Sequence, residues 1–109
     1  MKIFLALLLV GFSFFSVNCF ADAEQFKITI TGIDLNSQTF FMGVDRPAAS
    51  SSCTRVDEFK WFISDSGVQE IMTMALTAKA LGKSVFVGVS QNGKCVVGQA
   101  TGDYLFITP

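Results

Sequence analysis

Residues 59–90 constrain the fold most, because their spacing sets an apolar strand, an amphipathic helix and a second apolar strand in direct succession. Ser66 stands three residues before Gln69, the spacing of a capping box in which each side chain satisfies a free backbone N–H at a helix start. Val68, Ile71, Met72, Ala75 and Leu76 then follow the i, i+3, i+4, i+7, i+8 rhythm of one helical face, which predicts a helix over residues 67–81. The same spacing puts Met72 on the inner face and Met74 outside. Gly82 suits the left-handed conformation that closes a helix, and Lys79 and Lys83 place positive charge near its negative end. In residues 84–90, Val85, Val87 and Val89 alternate with Phe86 and Gly88, as a strand requires.

The first 21 of the 109 residues read as a secretory leader. Lys2 is the positive n-region, residues 3–15 the apolar h-region, and Cys19 and Ala21 the small residues of a cleavage site, with Ala23 as a second choice. A membrane anchor is the competing reading, but Gly11, Ser13, Ser16 and Asn18 interrupt the run before it reaches bilayer length. A lipoprotein site at Cys19 would follow Asn18, a poor residue for that position. The expectation is a secreted or periplasmic protein with no stable membrane insertion, whose single domain covers residues 22–109. Cleavage removes one cation, Lys2, and takes the formal net charge from −1 to −2. That balance argues against a nucleic-acid partner.

A domain this small gains from a covalent staple. Cys53 and Cys95 remain after cleavage, in a compartment that permits disulfides. A bridge between them closes a loop that the chain-entropy model values at roughly 4 kcal/mol. A reactive thiol pair would want a Cys-x-x-Cys spacing or a nearby base, and neither is present.

Along the rest of the chain, residues 22–25 read as a polar, frayed lead-in. Phe26, Ile28 and Ile30 alternate with Lys27, Thr29 and Thr31 as a first strand, and residues 39–44 form a second, joined to it by the turn chemistry of residues 32–37. Residues 45–57 read as a long loop tethered by the disulfide, and Phe59, Trp61 and Ile63 mark the third strand. After the helix and fourth strand, Asn92-Gly93 suits a tight hairpin turn that returns residues 95–97 onto the fourth strand. Residues 98–103 read as a second turn and residues 104–108 as the final strand. The chain is thus mainly β with one helix, in the order β-β-β-α-β-β of an OB-fold-like small barrel. An open antiparallel sheet with one packed helix is the alternative.

The segment from Phe59 through the helix to Leu81-Gly82-Lys83-Ser84-Val85-Phe86-Val87 resembles the strand, helix and Thr-Gly-Gln-Ser-Val strand entry of AB5 toxin B subunits of the subtilase and pertussis-like type. It is also similar to small exported bacterial proteins with a Gly-Lys-x-Val strand entry and a late cysteine. The resemblance covers the middle third of the chain. It implies an OB fold, a ring of five and recognition of sialylated glycans. The chain departs from that pattern in being shorter, in having one cysteine pair where those subunits usually have two, and in lacking their sugar-binding segment near the start. No binding residue carries over.

The sequence has no histidine, the commonest general base and metal ligand, and no cofactor motif. Asp57-Glu58, and Asp45 with Asp103, are the remaining carboxylate pairs, but neighbours on a strand point to opposite faces. The reading is therefore non-enzymatic. Arg46, Ser50, Ser51, Ser52 and Arg55 form the densest hydrogen-bonding set in any loop and are candidate ligand contacts, against the reading of a solvated loop. Trp61 could stack on a sugar ring, but its strict alternation with Phe59 and Ile63 favours a core or barrel-end position. The Tyr104 phenol either bonds a ligand or is satisfied internally. These features lead to an exported binding protein for a glycan or protein partner, a carbohydrate-binding or toxin-accessory module, for which self-association is expected. A periplasmic inhibitor or immunity protein is the alternative.

Overall fold

Alternating apolar residues and the cysteine staple come together in the computed structural model, which describes residues 23–91 and 93–109. The leader, its cleavage after Ala21, and Asn92 of the expected hairpin turn lie outside the described residues. The strands are β1 (Ala23–Phe26), β2 (Ile28–Asp34), β3 (Thr39–Val44), β4 (Arg55–Phe62), β5 (Val85–Val89), β6 (Gln99–Ala100) and β7 (Gly102–Ile107), with one helix, α1 (Val68–Leu81), between β4 and β5. Among the described residues the chain is mainly β with one helix, as its order of elements implies. Among the described residues no helix is long and apolar enough to cross a membrane.

Among the described residues the closed OB-like barrel is not formed. The strands make two open sheets, β1-β5-β7 and β2-β3-β4-β6, with α1 packed against β7 and β2, which is the alternative architecture. The ladder breaks at two corners, where the backbone passes from one sheet to the other across Lys27 and across Thr101. At the first corner the Lys27 N–H donates to Asp45 Oδ1 at 3.0 Å, so a side chain replaces a ladder carbonyl. Register shifts beside these corners, between Ile28 and Ile30 and between Gly88 and Val89, bend the strands as they leave each sheet.

Period-2 alternation fills the space between the sheets. Val85, Val87 and Val89 of β5 are fully buried against Phe26, Phe40, Met42, Phe59 and Trp61, and each such side chain contributes about 1.5–3 kcal/mol through burial. Trp61 Nε1–H donates to Gly102 O at 2.9 Å and so ties the two sheets through the core. Cys53 and Cys95 are bonded, with Cα atoms 5.8 Å apart, and join the β3–β4 loop to the β5–β6 connection.

Several local expectations are corrected. Residues 23–25 are not frayed: β1 pairs antiparallel with β5, Ala23 opposite Gly88. The expected loop ends earlier, since β4 begins at Arg55. Residues 95–97 do not return onto β5; Val96 instead bridges Gln99, and β6 runs parallel to β4. The capping box is absent because Gly67 takes a left-handed conformation at the N-cap (φ 83°) and the cap has no side-chain hydrogen bond. Gly82 does close the helix in that conformation (φ 68°), with its N–H and that of Lys83 satisfying carbonyls of the last turn. The buried face of α1 is Val68, Ala75 and Ala78, with Ile71, Met72 and Met74 packed partly against the core. The contact face thus runs through Ala75 and Ala78 and leaves Leu76 exposed.

Candidate functional site

The polar loop after β3 is clasped onto the first strand. Glu24 of β1 accepts from the Ala49 N–H at 3.0 Å, from the Ser50 N–H at 3.0 Å and from the Ser50 hydroxyl. Arg46 pairs with the same carboxylate at 3.4 Å, donates to Gln25 O and lies 4.6 Å above the Phe26 ring. Burial raises the Glu24 pKa, but the Ser50 hydroxyl, the two N–H groups and the Arg46 charge outweigh it and hold the carboxyl below its ordinary range. Ser51 Oγ accepts from the Cys53 N–H at 3.2 Å, and Ser52 is exposed. Arg46, Ser50 and Ser51 therefore hold the loop in place: Arg46 and Ser50 donate to internal acceptors and Ser51 accepts from the Cys53 N–H. Glu24, unremarkable in the sequence, is the residue that organises them.

Trp61 is corrected from a candidate sugar-stacking residue to a core residue. It is 3% exposed, sits between Phe40 and Phe59 with ring centroids 6.0 and 5.9 Å away, and has its N–H satisfied by Gly102. Arg55 and Tyr104 fall on the outer faces of different sheets.

Tyr104 stands on β7 and is 41% exposed, as is Phe106 two residues on. Their rings are parallel to within 9° at 6.1 Å, and Phe106 also stacks on Phe86 of β5 at 5.2 Å. Register explains this row: Gln25, Phe86 and Phe106 lie opposite one another across three strands, and Ala23, Gly88 and Tyr104 form the next rank. The Tyr104 ring lies over Gly88, where a Cβ would come within 2.2 Å of it. None of these six positions carries a charge.

The outer face of the four-stranded sheet is built differently. A cleft of about 670 Å³ is lined by Ile33 and Asp34 of β2, Leu35 and Asn36 of the β2–β3 turn, Phe41 of β3, Arg55, Glu58 and Lys60 of β4, and Gln99 of β6. Phe41 lies over Gly32, where a Cβ would meet its ring at 2.4 Å. Lys60 is only 7% exposed, with Asp34 Oδ2 3.5 Å from its Nζ. Arg55 reaches Asp57 Oδ1 at 3.0 Å and Glu58 Oε2 at 3.5 Å. The Asn36 N–H, aided by Lys60 and working against some desolvation, holds the Asp34 carboxyl below its ordinary range. Lys60 could not be read from sequence as buried, because its alternation places it on the outer face.

Asp57 and Glu58 thus both serve Arg55, while Asp45 accepts from Lys27 and Asp103 from the Ser90 hydroxyl. No group of three or more His, Cys, Asp or Glu side chains that could hold a metal ion occurs among the described residues. No family model, curated protein or solved structure matches this chain.

Proposed function

We propose that the chain is an exported, non-enzymatic binding protein that holds a neutral carbohydrate against the aromatic row of the three-stranded sheet. The observation that carries this reading is the parallel, exposed and uncharged arrangement of Tyr104 and Phe106 beside Phe86. Aromatic faces attract the apolar C–H face of a sugar ring, and a phenol supplies the polar handle such ligands need. The Gln25 amide, in register with Phe86, stands at the strand edge of the same row as a second hydrogen-bonding group. The Cys53–Cys95 bond supports an oxidising destination, secreted or periplasmic.

A glycan array probed with the oxidised domain tests it. Retention of neutral glycans is expected, with a loss of about tenfold or more in Tyr104→Ala and Phe106→Ala, as removal of one stacking partner implies. No glycan retention, or retention indifferent to both changes, overturns it. The alternative, an inhibitor or immunity protein, is favoured by the same exposed aromatic side chains, which are common anchors at protein interfaces. It predicts one-to-one co-purification with an enzyme, abolished by Phe106→Ala. The accessory-module form adds a multiple of the monomer mass in solution.

A further inference from the structure

We infer that the cleft on the four-stranded sheet is a second binding site, for a small zwitterion: a free α-amino acid bearing an apolar side chain. The inference is independent of the carbohydrate reading, which concerns the opposite face. Its first support is a charge pattern of alternating sign. Along β4 the face carries Glu58 and then Lys60; Asp34 stands beside Lys60, and Arg55 beside Glu58. Two cations and two carboxylates line the cleft, and Asp57 stands against Arg55 outside the lining. A lone anion or cation would gain one partner and face a repelling neighbour, whereas a zwitterion matches both signs at once.

The second support is that Lys60 and Gln99 are under-satisfied, whereas Arg55 already has Asp57 at 3.0 Å. Both the Lys60–Asp34 and the Arg55–Glu58 contacts are long, at 3.5 Å, although Lys60 is 93% shielded from solvent. A buried ammonium gains from a closer acceptor, and a ligand carboxylate supplies one in charge-assisted geometry. Gln99 lines the same cleft, and its Oε1 is buried with no hydrogen-bond partner among the described residues. Buried oxygens of this kind are uncommon in native proteins. A turn of the Gln99 amide into the cleft gives that oxygen the ligand's ammonium, shared with Asp34 or Glu58. Phe41, whose ring covers Gly32, and Leu35 provide the apolar wall for the side chain. The cleft volume falls within the range of small-ligand sites.

Titration of the ¹⁵N-labelled oxidised domain with L-phenylalanine, followed by amide shifts, tests the inference. N-acetyl-L-phenylalanine and L-phenylalanine amide serve as probes lacking one charge each. Saturable shifts at Asn36, Glu58, Lys60 and Gln99 are expected with the free amino acid, and binding about tenfold weaker with either capped form, the effect of losing one charge-assisted contact. Lys60→Met and the solvent-exposed Arg55→Gln should each weaken binding by a similar factor, the second serving if the first does not fold. Tyr104→Ala should leave it unchanged, so loss of glycan retention and loss of amino-acid binding are separable. Absence of shifts at about 10 mM ligand, a concentration that reveals even millimolar affinity, or equal binding of the capped forms, overturns the inference.

Discussion

The outer faces of the two sheets use one packing device to opposite ends. On each, a ring occupies the space over a glycine of the neighbouring strand: Tyr104 over Gly88 in the three-stranded sheet, Phe41 over Gly32 in the four-stranded sheet. Around Tyr104 the register positions are uncharged and the rings stand exposed. Around Phe41 they carry four charges, and the ring becomes part of a cleft wall. Such a ring is thus only a platform. The charge and hydrogen-bonding state of its neighbours decide what it can hold.

The disulfide offers the largest test of how separate the faces are. Cys53 lies two residues before Arg55 on β4, and Cys95 four residues before Gln99 on β6, so both ends of the bridge lead into the cleft. The double change Cys53→Ser and Cys95→Ser should lower stability by about 4 kcal/mol in urea unfolding. Below the unfolding transition, the cleft should lose ligand affinity while the aromatic face keeps its own. Equal losses on both faces would show that they are not independent.

Trp61 probes the opposite property, the coupling of the sheets. Trp61→Phe keeps most of the buried ring but leaves the Gly102 carbonyl without its donor. A cost of about 1–3 kcal/mol is expected, measured by thermal or urea unfolding, because the penalty is that of an unsatisfied buried acceptor. Gly102 opens β7, so the shift should register at Tyr104 as well as in β4.

A smaller effect, on the clasp between β1 and the loop after β3, should come from Glu24. Glu24→Gln weakens the clasp over Arg46 and Ser50 and should cost about 1–2 kcal/mol, the worth of a charge-assisted hydrogen bond in a partly buried setting. The folded pKa lies below the ordinary value, so this contribution is present above the unfolded pKa, about 4.3 for Glu, and is lost as pH falls through the folded value. Wild type should therefore lose more stability than the variant on going from neutral to acidic pH, as unfolding at several pH values will show.

What the sequence made legible follows from where its signals are local. The β3 boundaries, the valine alternation of β5, the Gly82 stop and the cysteine pairing depend on spacing or on the absence of other partners, and they reappear in the structure. Sheet membership does not have a local signal: the alternation of Phe26, Ile28 and Ile30 runs unbroken across a corner at which the strand changes partners. The capping box failed for a related reason. Ser66 and Gln69 have the right spacing, but Gly67 between them reaches a conformation that other residues seldom adopt. Of the candidate site, Arg55 and Tyr104 were legible as polar or aromatic side chains outside the core pattern. The clasp role of Glu24 and the burial of Lys60 were not, because both depend on which strands become neighbours.

The two glycines give the smallest change in stability and the sharpest separation of the faces. Ala at position 88 stiffens the unfolded chain, a gain of about 0.4–1 kcal/mol where the backbone conformation suits it. Against this, its Cβ must displace the Tyr104 ring, which is part-exposed and free to swing outward. The two terms nearly cancel, so Gly88→Ala should change stability by less than about 1 kcal/mol while breaking the parallel row and lowering glycan retention. Gly32→Ala pushes on Phe41, which is half-buried and sits opposite Lys60 in the register, so its ring has less room to move. That change should cost somewhat more stability, alter the cleft wall and weaken L-phenylalanine binding, with glycan retention intact. If each glycine change impaired both ligands equally, the rings would be acting through the shared core and not as separate platforms.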